Sequence, residues 1–556
     1  MPNTRRSRSC CASWIWVAVA ASFAWFRCEP GSPEGRDAAV PGALAEVAVP
    51  ATPPTRAPGA VPISPRADAP RAMRVERRVV PLDAKDAPNV VLIVVDTMRT
   101  DFTSLFPDGY SATTPFLAEL AQKGVVFKNA YSTSSWTVPA MYSLMTGLYP
   151  SQHGMTAGYF AREKVVDQAV LPQAAYTLAE QLHDLDYDTY GVCTNQHLAA
   201  KYGMGQGFDR YVGDTFLKLP FPALAVESLA PEILASPRRF LWLHYFDPHH
   251  PYIAQLPWFD EWNRSGFADF SAVSIDALSR FYRVRHGLAP GAPLPANLLV
   301  PLVRRAVALR WGHPKNFFAS MPPGDVPPAA GTPEARYLDF MKAAYASEVR
   351  AADESIREVA SRLRFDDDDL VIVVSDHGEE LMEHGGIGHR WLASVSQELI
   401  HVPLLIKFPG NAGAGRVIDA PVSLVDIVPT IRAALGQPPL EELPGVDLAQ
   451  MLGRGAPEER ELFCELVEPG VKIHCAVAYP WKLVLSEAGG AARLYDLSRD
   501  PGEETDLAAA RPEIVGRLTA ALAVSSGKDG PLWPKPGSAS LSADELTRLR
   551  GLGYLD

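Results

Sequence analysis

The sequence has little cysteine, no dense stripe of basic residues and no long hydrophobic run beyond its N-terminal region. Three of the six cysteines lie within the first 28 residues, so a disulfide framework does not hold the chain together. The net charge of −12 argues against a protein that wraps duplex nucleic acid. After residue 26 no apolar run reaches the roughly 20 residues of a membrane span. We therefore expect no nucleic-acid partner, and membrane attachment only through the N-terminal segment.

The first 86 residues differ in composition from the rest. Three arginines precede an apolar stretch over 12–26, a pattern typical of an export signal, which we assign to residues 1–28. Residues 29–86 are crowded with Pro, Ala and Arg, a composition that cannot build a core, and are predicted to be a linker. We expect an extracytoplasmic protein, periplasmic or secreted, which the N-terminal segment could tether to a membrane.

The remaining sequence, with 47% hydrophobic and 21% charged residues overall, is typical of a globular enzyme. Its continuous apolar runs are typical of parallel strands buried on both faces, and such sheets bind ligands outside the carboxyl ends of their strands. Three of these runs, 89–95, 240–243 and 370–374, lead into the acids and histidines Asp96, His244, Asp247, His249, Asp376 and His377. The pattern predicts an α/β fold whose mostly parallel central sheet is flanked by helices and carries a catalytic cluster at its carboxyl edge.

The segment from Ser134 to Gly147 is predicted to form a helix. Hydroxyl residues precede the first turn of this helix, Pro139 lies within that turn, and Gly147 ends the helix. Thr137 then lies at the helix N-terminus, where unpaired N–H groups and the helix dipole favour an anion. Taken alone, the segment favours a simple cap; its neighbours in the sequence favour a functional role.

Four motifs in order along the chain carry a family resemblance. They are Asn89–Asp96, Thr137-x-Pro139 with Thr146–Pro150, Asp247-Pro-His249-His-Pro-Tyr252, and Ser375-Asp-His-Gly-Glu379. Each motif is weak alone, but together they are highly specific. The chain resembles the sulfatase branch of the alkaline phosphatase superfamily over roughly 88–409, with further similarity around 481–503.

The resemblance implies a divalent metal ion at the carboxyl edge of the sheet. Its ligands would be Asp96, Thr137, Asp376 and His377, a set that suits Ca²⁺, Mg²⁺, Mn²⁺ or Zn²⁺. Metal coordination would lower the pKa of the Thr137 hydroxyl and make it a nucleophile.

The resemblance also assigns roles to the histidines. His249 corresponds to the family histidine that protonates the leaving oxygen, and His250 beside it is the alternative. His384 and His389 stand where the family places groups that contact the non-bridging oxygens of the ester. We predict that Thr137, His249 and His389 are catalytic and that His250, His384 and Asp247 bind substrate. A second metal ion held by Asp247, His249 or His250, and His389 stays open.

The chain departs from the family pattern at four places. Thr137 replaces the Cys or Ser that sulfatases oxidise to formylglycine, and Met141 replaces an arginine. Thr97 replaces a second acidic metal ligand, and the lysine expected within 187–194 is missing. Formylglycine maturation is therefore impossible at this site.

A threonine nucleophile favours phosphorus over sulfur as the reacting centre. Formylglycine hydrate releases sulfate by C–O cleavage, whereas a sulfated threonine would need attack at sulfur. A phosphorylated threonine can be resolved by in-line attack of water or another alcohol. We predict a hydrolase of phosphate, phosphonate or sulfate esters of small molecules, glycans or lipids. The alternatives are a transferase that passes the Thr-bound group to a glycan or lipid acceptor, and an inactive homologue that binds metal or ester.

The C-terminal part is predicted to form a smaller antiparallel sheet between 459 and 497, followed by a helix near Pro512–Val524. Cys464 and Cys475 are equidistant from a Pro-Gly turn, so a hairpin would set them opposite each other, either bonded or reduced. We divide the chain into a catalytic domain over 87–455 and a C-terminal subdomain with its tail over 456–556. Residues 253–335 are predicted to line the substrate mouth.

Overall fold

The computed structural model describes residues 79–82, 87–106, 112–156, 160–161, 164–165, 168–213, 216–250, 252, 254–255, 258–263, 333–389, 394–453, 460–468, 471–487, 489–525, 531–543 and 545. The predicted export segment, most of the predicted linker, most of 253–335 and most of the C-terminal tail lie outside these residues. Within them, no helix combines the length and the apolar character that a bilayer-spanning segment needs.

An eight-stranded sheet forms the centre of the molecule. Its strands, in spatial order, are β13 (Arg416–Ser423), β2 (Val125–Tyr131), β12 (His401–Lys407), β9 (Leu370–Val374), β1 (Val90–Val95), β8 (Arg239–Tyr245), β6 (Asp188–Val192) and β7 (Arg210–Val212). Within this sheet β12 pairs antiparallel with both neighbours, and every other pairing is parallel. The predicted mostly parallel sheet is confirmed.

Both faces of the sheet are covered, which explains its continuous apolar strands. In β1, Val90, Leu92 and Val94 pack into one buried cluster, while the alternate residues Val91, Ile93 and Val95 pack into another. Successive side chains of a strand point to opposite faces, so the two clusters lie on opposite sides of the sheet. An alternating polar pattern would have exposed one of these faces to water.

The helices are α1 (Pro115–Ala121), α2 (Thr137–Thr146), α3 (Pro150–His153), α4 (Leu178–His183), α5 (Phe221–Ala235), α6 (Phe259–Trp262), α7 (Pro333–Leu363), α8 (Gln397–Ile400), α9 (Ile427–Ala434) and α10 (Pro512–Ser525). Short 3-10 turns span Thr100–Phe102, Gln196–Leu198, Ala200–Tyr202, Pro409–Asn411, Leu424–Asp426 and Leu448–Leu452. Helix α1 begins at Pro115, a residue that suits the first turn of a helix, and the preceding Thr114 does not cap it. Instead, the Asp353 carboxylate on α7 accepts hydrogen bonds from Phe116 N and Leu117 N, each at 2.9 Å.

The C-terminal region forms the predicted antiparallel sheet with a helix. Strands β14 (Leu462–Glu468), β15 (Val471–Ala478), β16 (Trp481–Ser486) and β17 (Arg493–Asp496) lie in that order, and α10 packs on them. Cys464 and Cys475 are directly opposite in the β14–β15 pair and are both unbridged, which corresponds to the reduced alternative.

Short two-stranded pairs complete the sheet structure. They are β3 (Phe160–Ala161) with β4 (Lys164–Val165), β10 (Glu380–Leu381) with β11 (Ile387–Gly388), and β5 (Gln168–Val170) with β18 (Gly537–Ala539). The last pair joins residues 537–539 to residues 168–170.

Candidate active site

The sheet brings distant parts of the sequence together at its carboxyl edge. Asp96 follows β1, Thr137 opens α2 after β2, and Asp376 with His377 follows β9. All these strands run in the same direction, so their carboxyl ends share one edge of the sheet. Asp96, Asp376 and His377 offer ligand atoms that lie within 4.8 Å of one another, and all three residues are buried.

The imidazole of His377 lies at the centre of this group. Its Nε2 is 3.5 Å from Asp96 Oδ1, 3.5 Å from Asp376 Oδ2 and 3.2 Å from Thr137 Oγ1. Its Nδ1 is hydrogen-bonded to the Gly378 carbonyl at 2.8 Å, and a carbonyl can only accept. Nδ1 therefore carries a proton, and Nε2 is the ring nitrogen that faces the two carboxylates.

Two carboxylate oxygens in this group lack hydrogen-bond partners. Asp96 Oδ1 and Asp376 Oδ2 are both buried and unpaired. Burial, followed by the charge of Asp376, raises the pKa of Asp96, and burial also raises the pKa of Asp376 although His377 lowers it. Buried charges of this kind are costly unless they are paired or coordinate a metal.

These residues fit a divalent cation. Ligand distances of about 2.0–2.5 Å place neighbouring ligand atoms roughly 3–3.5 Å apart around a hard metal ion. The separations of 3.2 and 3.5 Å around His377 Nε2 match this spacing. The donor set of two carboxylates, one imidazole and one alcohol suits the hard and borderline metals.

Asn195 and His244 also contact Asp96. Asn195 Nδ2 donates to Asp96 Oδ2 at 3.0 Å, and His244 Nε2 lies 3.6 Å from the same oxygen. Burial lowers the pKa of His244 to about 3, so this imidazole is neutral at pH 7. The position of His244 after an apolar run was a sequence signal, whereas Asn195 follows β6 without any motif that marks it.

Thr97 adopts a strained backbone conformation beside the carboxylates. Its φ is 58°, a region that β-branched residues rarely occupy. Thr97 N donates to Asp376 Oδ1 at 3.3 Å, and the Tyr345 hydroxyl donates to Thr97 O at 2.6 Å. Such strain persists where the surroundings fix it and is concentrated at functional sites.

A second group of side chains adjoins His377. The ring of His389 lies 4.5 Å from that of His377 and 4.9 Å from that of His249, measured between centroids. His389 Nδ1 is hydrogen-bonded to Glu379 Oε1 at 2.8 Å, and burial raises the pKa of Glu379 to about 7. His249 Nδ1 is bonded to the His250 carbonyl at 2.5 Å, and burial lowers the pKa of His249.

The other predicted substrate-binding residues have protein contacts. His384 Nε2 is bonded to Glu398 Oε2 at 3.0 Å, and the His250 ring packs 5.5 Å from Tyr252. Asp247 Oδ2 accepts a hydrogen bond from Leu219 N at 2.9 Å. The structure thus brings His249 and His389 to the His377 group, while Asp247 is directed at the segment before α5.

A family model described as Sulfatase matches residues 88–437. The chain belongs to the sulfatase family. It is accordingly a sulfatase-like ester hydrolase, and its family is metal-dependent. The match covers the residues from β1 to α9, including the whole carboxyl-edge cluster.

Individual members of the sulfatase family are similar to most of the chain. Arylsulfatase K of Bos taurus is 24% identical over 78% of this chain and 80% of its own length. The multifunctional alkaline phosphatase superfamily protein PehA of Trinickia caryophylli is 24% identical over 76% of this chain and 91% of its own length. A phosphonate monoester hydrolase from Silicibacter pomeroyi has a similar fold, with a TM-score of 0.56, 19% identity, and coverage of 79% of this chain and 94% of that one.

The departures from the sulfatase family pattern are visible in the packing. Met141, which stands at the family's arginine position, is fully buried in the core one turn along α2 from Thr137. The segment 187–194 has no lysine, and Asn195 directly after it donates to Asp96. Met141 and the residues of 187–194 therefore supply no positive charge to this site.

Proposed function

We propose that this protein is an exported, metal-dependent hydrolase that cleaves phosphate or phosphonate esters, and sulfate esters less readily, with Thr137 as its nucleophile. The observation that carries the proposal is the position of Thr137 Oγ1 at the start of α2, 3.2 Å from His377 Nε2. Thr137 is 3% exposed, so its hydroxyl belongs to the buried cluster and not to the surface.

The proposed metal would be held by Asp96, Asp376, His377 and Thr137. Such a cation would lower the pKa of the threonine hydroxyl and neutralise charge on the ester. Thr137 Oγ1 would attack phosphorus in line with the leaving oxygen and form a phosphorylated threonine. The N-terminus of α2 would face the non-bridging oxygens, where its N–H groups and dipole favour negative charge.

The histidines would supply the proton for the leaving oxygen and contact the charged non-bridging oxygens. His249 would protonate the leaving oxygen in its charged form, which the negative charge of the bound ester would favour against the burial that lowers the pKa of this imidazole. Because Nδ1 is bonded to the His250 carbonyl, the transfer would use Nε2. His389, oriented by Glu379, would contact a non-bridging oxygen. Water would then attack phosphorus, break its bond to Thr137 and restore the hydroxyl. His250 and His384 stay predicted substrate ligands, and a second metal ion near His249 and His389 stays a prediction.

Two observations support phosphorus over sulfur. An unmodified threonine can leave phosphorus in a second in-line displacement, whereas the family's sulfate chemistry uses formylglycine. Relatives named as a multifunctional alkaline phosphatase superfamily protein and as a phosphonate monoester hydrolase fit such a range of substrates.

The decisive experiment measures kcat/KM for matched aryl sulfate, phosphate monoester, phosphate diester and phosphonate monoester substrates with each candidate metal. Thr137→Ala should abolish turnover, by about 10⁴-fold or more, because the nucleophile is lost. Thr146→Ala is the matched control: this threonine ends the same helix, and its hydroxyl bonds only the Tyr142 carbonyl among the contacts described. It should keep near-normal rates.

Other outcomes would change the proposal in defined ways. Full activity in Thr137→Ala would refute the nucleophile. Thr137-dependent cleavage that favours the sulfate would refute the preference for phosphorus, and rates that rise with added alcohol acceptors would indicate a transferase. Export is tested separately, by N-terminal sequencing of the mature chain isolated from its producing cells.

A further inference from the structure

Lys218 is a partly buried cation beside His249 that no family motif predicts. It lies just before α5, and its side chain is 16% exposed. Nζ donates to the His249 carbonyl at 2.7 Å and to Glu348 Oε1 at 2.7 Å. It also lies 3.7 Å from Asp247 Oδ1. One ammonium group therefore joins the loop that carries His249 to the segment before α5 and to helix α7.

The neighbours of Lys218 restrain the same loop. Leu219 N donates to Asp247 Oδ2, so both carboxylate oxygens of Asp247 face the Lys218–Leu219 segment. Lys218 Nζ is 5.7 Å from the ring centroid of Phe246, and that ring stacks on His249 at 4.3 Å. Lys218 thus acts on both the backbone of His249 and the surface on which its imidazole rests.

Stability alone is a poor explanation for this arrangement. Burying an ion pair costs desolvation, and apolar side chains of similar volume often stabilise a core equally well. Glu348 is fully buried, so its carboxylate loses all contact with water in forming the pair with Lys218. A buried pair in this position is more simply explained by what it holds in place.

We propose that Lys218 is a positioning residue for protonation of the leaving group, holding the His249 imidazole in line with the leaving oxygen through the His249 carbonyl, Asp247 and Phe246. The inference rests on the proposed function, in which His249 is the acid. Nζ is directed at protein oxygens, so Lys218 acts through His249 and not by touching the ester.

The test is a leaving-group series of aryl phosphates from 4-nitrophenyl to phenyl, hydrolysed by the full chain with its most activating metal. Phenol needs a proton as it leaves, whereas 4-nitrophenol needs little help. In Lys218→Met, kcat/KM should fall about tenfold for 4-nitrophenyl phosphate and on the order of a thousandfold for phenyl phosphate, mostly in kcat. Lys218→Arg, which keeps the charge, should recover part of the loss for phenyl phosphate.

Two further variants make the result specific. Lys407→Met is the matched control, because Lys407 is also buried and donates to the carbonyls of Asp367 and Asp369 away from His249. It should show no dependence on the leaving group. If Lys218→Met fails to fold because Glu348 loses its cation, the double variant Lys218→Met/Glu348→Gln removes both charges. It is judged by the same dependence of kcat/KM on the leaving group.

The outcomes separate this inference from the proposed function. In one outcome, Lys218→Met lowers kcat/KM by the same factor for every aryl phosphate, while the loss in His249→Asn grows steeply as the leaving group becomes poorer. That outcome would overturn the positioning role and leave His249 as the acid. If His249→Asn lowers kcat/KM by the same factor for every aryl phosphate, the acid assignment itself would be refuted. The proposed role of Lys218 would then be refuted as well.

Discussion

At the scale of single residues, the buried carboxylates of Asp96 and Asp376 lower the stability of the metal-free fold while providing ligands for the proposed metal. Each has a buried carboxylate oxygen without a hydrogen-bond partner, and each has a raised pKa. The folded protein without metal therefore holds a proton that the unfolded chain releases. Its free energy of unfolding should fall as the pH rises from about 3.8 towards the raised pKa of Asp96. A bound divalent cation should remove this loss.

Replacing Asp376 with asparagine tests that account. Asp376→Asn should raise the melting temperature of metal-free protein at pH values above the raised pKa of Asp96, because one of two facing buried charges is gone. The same change should weaken metal binding by about 100-fold or more, since a ligand is lost. Calorimetry with and without chelator measures both effects. Asp369→Asn, at the opposite end of β9, is the control and should keep the full metal response; an unchanged metal response in Asp376→Asn would refute the ligand assignment.

The pair of His384 and Glu398 should have a stability profile of its own. Burial alone would raise the pKa of Glu398, but His384 and Arg99 lower it to about 2, while the bond to Glu398 raises the pKa of His384. The stabilisation should be full between about pH 4.5 and 6.5, and it should decline as the pH falls towards 2 or rises through the raised pKa of His384. His384→Gln should flatten melting temperature against pH above 6.5. An unchanged profile with a raised KM would instead favour the predicted contact with substrate.

At the scale of the elements, the sequence predicted the strands and their functional ends, and it missed contacts made across the fold. Continuous apolar runs identified β1, β8 and β9, and helix punctuation placed Thr137 at the start of α2. The first turn of α1 depends on a distant residue, because Asp353, more than 200 residues away, accepts hydrogen bonds from its N–H groups while the adjacent Thr114 does not cap it. Asn195, Lys218 and Glu348 were missed for the same reason: their partners are set by tertiary packing, which has no local pattern.

The burial of helix α2 predicts what an arginine at position 141 would do to the stability of the fold. All ten of its residues are buried, and Met141 has no exposed surface. Met141→Arg should therefore destabilise the fold by several kcal/mol, because the guanidinium would be buried without a partner. Met141→Leu, which conserves volume, should cost less than about 1.5 kcal/mol. Urea unfolding compares the two; a stable Met141→Arg protein with tighter sulfate binding would show that this position reaches the substrate.

At the scale of the whole molecule, residues 537–545 pack close to the proposed acid His249. β18 pairs with β5, and Ala539 and Leu541 pack on a cluster that includes Phe216 and Phe246. Phe246 in turn stacks on His249. Glu545 forms an ion pair with Lys201 and accepts a hydrogen bond from the Tyr202 hydroxyl at 3.1 Å. The C-terminal segment is therefore connected to the proposed acid through two aromatic rings.

Detaching this segment should lower activity without touching the metal ligands. The double variant Leu541→Ala/Glu545→Ala removes an apolar contact and an ion pair, and we expect kcat to fall several-fold while metal affinity is unchanged. Burial opposes the low pKa of Glu545, but Lys201 and Ser542 hold it at about 2, so the attachment should weaken in the wild type only as the pH falls below about 4.5. The exposed Glu513→Ala is the control. Equal loss in that control would show that the effect is not specific to the segment.

The attachment of β18 to β5 also has a consequence for biosynthesis. The ribosome delivers Asp96, Thr137 and His377 long before residues 537–545, so the metal ligands can be gathered while the surface behind His249 is still uncovered. A chain without residues 537–545 would keep the predicted metal ligands and yet lose the support of its proposed proton donor. Proton donation by His249 would then be supported only after residues 537–545 have been synthesised and β18 has paired with β5.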